Sequence, residues 1–171
     1  MKENYFRCLK MLLKHEDGFV NHPNDSGGMK SLGVTKTTLE EYWGREVTEL
    51  EMRSLTPDEV APLYKAKYWD AIRGDDLASG LDWACFDWCV NSGSRRPAQA
   101  LQRIVSAKPD GKIGTKTLQA IAKSDPLLIV EKLHDSRQNL YESLRTFPTF
   151  GKGWTRRNKE TMEQAISMTA V

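Results

Sequence analysis

Helix start and stop signals recur along this chain so closely that they leave room for little except a succession of helices. Thr56-Pro57-Asp58-Glu59 sets a hydroxyl three residues before a glutamate, with proline at the first helical position. That capping box predicts a helix through about Trp69, with Pro62 early enough to kink or shift its start. Ser79 to Val90 reads as an apolar helix carrying Trp83, Phe86 and Trp88. Gly93-Ser94-Arg95-Arg96-Pro97 breaks the chain and opens a helix over 98–105. Asp110-Gly111 and Gly114 mark a turn before a helix over 115–122. Asp125-Pro126 caps a long helix to about Leu144, and Asn158 to Ser167 closes the chain. Near the N-terminus Phe6, Leu9 and Leu13 recur at helical spacing. Only Asn24 to Thr35, rich in glycine, reads as a short hairpin or irregular loop. The fold class is therefore mainly α with one small β element.

Composition narrows the classes further. The 171 residues, 39% hydrophobic and 28% charged, suit one or two small globular domains with a real core. No apolar run approaches the ~20 residues of a membrane span, so stable membrane insertion is not expected. Charges stand in the first ten residues where a signal peptide would be apolar, which predicts synthesis in the cytoplasm without a classical signal. Cys8, Cys85 and Cys89 read as buried free thiols. Cys85 and Cys89 lie four apart, but His15, His22 and His134 show no ligand spacing, so no metal is expected. No serine elbow, P-loop or dinucleotide fingerprint is present. Residues 1–90 carry 11 Lys/Arg against 16 Asp/Glu, whereas residues 91–171 carry 14 against 7. A basic C-terminal half suits an anionic polymer. No recognised motif makes that polymer a nucleic acid.

The chemistry-bearing stretch is His15-Glu16-Asp17-Gly18-Phe19-Val20 and the run Asp25-Ser26-Gly27-Gly28-Met29-Lys30-Ser31-Leu32-Gly33-Val34-Thr35. Glu16 follows Leu9 by seven residues and Leu12 by four, which brings it out on or beside the buried face of its helix. Desolvation there favours the neutral, proton-bearing form that a general acid needs. Asp25 sits in a polar turn, where a carboxylate stays solvated and ionised. Two carboxylates in contrasting environments on either side of a short loop fit glycosidic bond hydrolysis. Glutamate in a last helical turn and aspartate in a loop are also ordinary surface features.

These motifs resemble glycoside hydrolase family 108, the phage-type N-acetylmuramidases. The family's opening pattern is Glu-Gly-Gly-aromatic, then Asp, Gly-Gly, Thr and Gly-Ile-Thr. Here it stands as Glu16-Asp17-Gly18-Phe19, Asp25, Gly27-Gly28, Lys30 and Gly33-Val34-Thr35. Further matching blocks are Tyr64-Lys65-Ala66-Lys67-Tyr68-Trp69-Asp70, Gly74-Asp75-Asp76-Leu77 and Phe86 to Gly93. Ala100-Leu101-Gln102 and Asp110 to Leu118 resemble the peptidoglycan-binding domain that follows the hydrolase in such proteins. Three positions depart from the pattern: Asp17 for Gly, Ser26 for a frequent Pro, and Lys30 for Thr. The spacing Glu-x8-Asp-x5-Thr of related phage lysozymes, whose Thr helps hold the water, lands here on Ser31. Lys30 has Asp25 and Glu16 as alternative partners, and pairing with Glu16 would weaken it as an acid.

The resemblance implies a lysozyme-like helical fold, with a muramidase domain over 1–90 and a helical peptidoglycan-binding domain over 91–171. It implies cleavage of the β-1,4 bond between N-acetylmuramic acid and N-acetylglucosamine in peptidoglycan glycan strands. Glu16 would be the general acid, with Asp25 stabilising the developing positive charge or placing the water, and Ser31 or Lys30 assisting. Trp69, Asn91 and Trp154 are candidates for contact with the sugar. Each also has a plainer reading: Trp69 as core, Asn91 as a helix cap and Trp154 as a packing anchor. No cofactor is implied. The enzyme would act in the periplasm or cell wall, released by a holin-type pore or by secretion machinery. A lytic transglycosylase and a non-catalytic wall-binding protein are the alternative classes.

Overall fold

The computed structural model describes residues 4–16, 18–21 and 28–170. Asp17 and Asp25 lie outside the described residues, as do His22 and Ser26. The order of elements is α1 (Asn4–Leu13), β1 (Lys30–Ser31), β2 (Val34–Thr35), α2 (Lys36–Trp43), α3 (Glu49–Ser54), α4 (Pro57–Tyr64), α5 (Leu81–Ser92), α6 (Arg95–Ile104), α7 (Thr115–Ala122), α8 (Pro126–Glu142) and α9 (Phe147–Thr169). The structure is mainly helical with one small antiparallel hairpin, as the sequence predicts. No helix among the described residues is long and apolar enough to cross a membrane.

The chain forms two compact units, residues 5–67 and residues 68–170, the latter joined by Asn4. They part at Tyr68, well before the predicted division at residue 90. The reason is α5: its residues 81–89 are all buried, and it packs on α6, α8 and α9. A helix buried on every side has to be enclosed by others, and here the basic C-terminal helices enclose it.

In residues 5–67, α1 buries Tyr5, Cys8, Leu9 and Leu12. Its buried stripe is turned from the predicted one, for Phe6 is 68% exposed and lines an apolar groove with Leu9, Leu13 and Pro57. Two short helices went unread in the sequence, α2 and α3. Each is started by a threonine cap, Thr35 accepting from the Thr38 N–H and Thr48 forming a full capping box with Glu51. The Thr56–Glu59 capping box opens α4 as predicted. Beyond Tyr64 the chain passes into a π-helical turn, Lys65–Trp69, one turn after Pro62 has removed a backbone donor.

In the other unit, α8 and α9 run antiparallel, since His134 faces Asn158, Gln138 faces Thr155 and Tyr141 faces Trp154. Helix α9 begins eleven residues before the predicted Asn158. Pro148 and Gly151 are accommodated at its start: Pro148 needs no N–H in the first turn, and the Phe147 ring packs over Gly151. Inside this unit the Asp87 carboxylate, fully buried, holds Arg137 at 2.7 Å and Arg157 at 2.8 Å. Burial pushes its carboxyl upward, but the two guanidiniums outweigh that and hold it below the usual carboxylate value. Gln102 organises the turn before α7, donating to Asp110, the Lys112 carbonyl and Thr117 while accepting from the Gly111 N–H.

Candidate active site

Glu16 stands just past the end of α1, not within its last turn as predicted. The N–H groups of Lys14, His15 and Glu16 bond back to the carbonyls of Met11, Leu12 and Leu13, so the chain leaves the helix in a tightening turn. The four-residue step from buried Leu12 still brings the carboxylate to a half-buried position. From there the chain runs through Phe19, whose ring lies 4.1 Å under the Arg53 guanidinium, to Val20, which bridges Lys30.

The hairpin that meets Glu16 is tight. Lys30 pairs with Thr35 and Ser31 with Val34, leaving Leu32-Gly33 as a two-residue loop. Both loop residues have positive φ, +49° and +74°. That is the condition for a type I′ turn, whose twist matches the strands it joins. A leucine at positive φ is uncommon and costs free energy. The Tyr64 hydroxyl helps to hold it there by donating to the Leu32 carbonyl at 2.9 Å. Gly33 is required on a second count. A Cβ at this position would lie 2.6 Å from the Tyr64 hydroxyl and 2.8 Å from Glu16 Oε2. The missing side chain is the space the catalytic candidate occupies. Tyr64 is both core and site neighbour: its ring is buried while its hydroxyl sits beside the carboxylate.

The remaining candidates separate. Ser31 is 3% exposed on the same face of the hairpin as buried Val34, while Lys30 and Thr35 on the opposite face are half-buried. Thr35 spends its hydroxyl capping α2. Trp69, Asn91 and Trp154 belong to the other compact unit. Trp69 is corrected from sugar contact to core: it is fully buried, edge-on to Phe86 at 5.3 Å, with its indole N–H on Asp75 and Gly74 under its ring. The Asn91 amide donates to the Asp87 carbonyl at 2.8 Å. Trp154 is an anchor of α9 on α8, half-buried against Phe150 at 5.7 Å and Tyr141 at 5.3 Å. All three cysteines are buried free thiols. Among the described residues no group of three or more His, Cys, Asp or Glu is placed to hold a metal.

Comparison with known proteins places this geometry. Residues 9–93, which hold Glu16 and the whole hairpin, match the family model Glycosyl hydrolase 108. The chain belongs to glycoside hydrolase family 108. Residues 96–159 match a second model, described as Predicted Peptidoglycan domain. Among solved structures, Brucella abortus SagA is similar at 36% identity and a TM-score of 0.86, over 99% of this chain and 97% of that one. Comparison with curated protein sequences returns no match. The family-108 chain is a peptidoglycan hydrolase of the muramidase class, with a lysozyme-like fold. The two matched models meet near residue 94, although the compact units part at Tyr68, so α5 belongs to the hydrolase by sequence and to the C-terminal helices by packing.

Proposed function

We propose that Glu16 is the general acid of this hydrolase. The observation that carries the reading is the seat of its carboxylate: half-buried, beside the Tyr64 hydroxyl, in a space that only a glycine at position 33 leaves open. Protein groups fix the side chain there, as an acid aimed at one glycosidic oxygen requires. Glu16 protonates the bridging oxygen as its bond to the anomeric carbon of N-acetylmuramic acid breaks. Water adds to that carbon and gives its proton to a carboxylate, a role for Asp25, which also faces the charge developing on the sugar ring. Ser31 or Lys30 on the hairpin assists in holding the water. The products are an N-acetylmuramic acid reducing end and a free N-acetylglucosamine hydroxyl.

The reading extends to where the enzyme works. It is made in the cytoplasm and reaches the periplasm or wall through a holin-type pore or dedicated secretion machinery, serving host lysis or wall remodelling. The test is the mass of soluble products from purified peptidoglycan treated with wild type and with Glu16→Gln. Reducing-end muropeptides from wild type alone are expected. Anhydro-muropeptides would make it a lytic transglycosylase, and undiminished cleavage by Glu16→Gln would remove Glu16 from the acid role.

A further inference from the structure

Helices α5, α6 and α8 enclose a pocket of about 330 Å³ that the hydrolytic chemistry does not use. That volume lies in the range of small-ligand sites. Arg96 and Arg103 stand seven residues apart on α6, two turns along one helix face, and both line the pocket. Neither makes an ion pair or hydrogen bond among the described residues. No acidic residue lines the pocket. Trp88 forms part of its wall; it is 2% exposed, and its indole N–H is buried with no hydrogen-bond partner.

The rest of the lining says which anion fits. Gln99 uses its amide N–H₂ on the Pro109 carbonyl, so its amide oxygen is left as an acceptor. Ser136 donates its hydroxyl to the Lys132 carbonyl and likewise keeps oxygen lone pairs. Ile104 and Leu140 supply an apolar wall. Two guanidiniums suit a carboxylate, the acceptors suit an amide N–H, and the apolar wall suits a methyl-sized side chain. An inorganic phosphate would meet the cations but leave the acceptors and the apolar wall without partners. A peptide ending in a small residue with a free α-carboxylate matches all three.

We infer that this pocket binds the carboxylate end of a peptidoglycan stem peptide. The inference rests on the peptidoglycan reading for its choice of peptide. Every pocket residue except Trp88 lies within the matched peptidoglycan model. The site holds the peptide while Glu16 acts on the glycan, and so favours wall regions whose stems end free over regions where that carboxyl is consumed in a cross-link.

The test is calorimetric titration of the full chain with a soluble stem tetrapeptide ending in alanine, with the same peptide as its C-terminal carboxamide, and with inorganic phosphate. Wild type is expected to bind the free acid at least tenfold more tightly than the carboxamide. Arg96→Gln/Arg103→Gln, at two exposed positions, should lose at least tenfold in affinity with an unchanged circular dichroism spectrum. Equal binding of acid and carboxamide, unchanged binding by the double arginine variant, or full competition by phosphate would overturn the assignment. Glu16→Gln should bind the peptide like wild type. Because binding is read without cleavage, failure here leaves the hydrolase reading intact, and failure of the Glu16 experiment leaves this site to stand or fall by itself.

Discussion

Replacing Gly33 with alanine perturbs the site at one atom. Two costs follow. The first is conformational: φ is +74° at Gly33, and a Cβ-bearing residue there loses about 1–2 kcal/mol. The second is contact. The new Cβ would be 2.8 Å from Glu16 Oε2, whereas ordinary contact begins at 3.4 Å, so the carboxylate must retreat by several tenths of an ångström. Tyr64 must retreat as well, which weakens its bond to the Leu32 carbonyl, worth about 1 kcal/mol. Together the stability loss is about 2–3 kcal/mol, or a fall in Tm of roughly 4–12 °C for a chain of this size. A displacement of an ångström at a reacting group costs about a hundredfold in rate, so kcat should fall by about tenfold or more. Gly44→Ala is the control. Gly44 has φ +67° at the end of α2 with nothing within 4 Å of its would-be Cβ, so it carries the conformational cost without the contact. Thermal melts and initial rates of muropeptide release measure both variants. If Gly33→Ala keeps the kcat of Gly44→Ala, Glu16 does not depend on that space, and the argument for its seat fails.

Other perturbations test the core and the reassigned residues. Asp87→Asn leaves Arg137 and Arg157 facing each other without their buried anion, which should cost about 3–5 kcal/mol in a denaturant melt. The Asp87 carboxyl is held below its free-chain value, so its stabilisation is present above about pH 4 and is lost as the pH falls through the folded-state value. Asp87→Asn should lack that part of the acid sensitivity, and melts at several pH values below 5 would show it. Trp69→Phe removes the N–H bonded to Asp75 and part of a fully buried ring, and should lower stability by about 2–3 kcal/mol without raising KM for peptidoglycan; a KM increase with unchanged stability would return Trp69 to the sugar. Burial raises the Cys85 thiol far above its ordinary value and lifts Cys89 to about 12. Neither should react with a thiol reagent at pH 8 until denaturant opens the fold, and rapid native labelling would contradict their burial.

The N-terminal signals of α4 and α8 were legible because hydroxyl and carboxylate caps followed by proline act within a few residues of themselves. The same locality made the glycine-rich hairpin and the position of Glu16 relative to Leu12 readable, and the family motifs carried the chemistry. Helices α2 and α3 were missed because they are short and bury only Leu39 and Met52, too little apolar periodicity to notice. The start of α9 was missed because its first turns carry Pro148, Gly151 and Gly153, residues of low helix propensity, and only the fold shows the Phe147 ring packing over Gly151. Sequence by itself determined a mainly helical hydrolase with a carboxylate beside a small hairpin. Only the tertiary structure decided that Tyr64 and Gly33 frame that carboxylate, that Trp69 is buried in the core, and that Asp87 gathers two arginines distant in sequence. Those outcomes depend on which surfaces meet across the fold, and the spacing of residues along a chain carries no record of that.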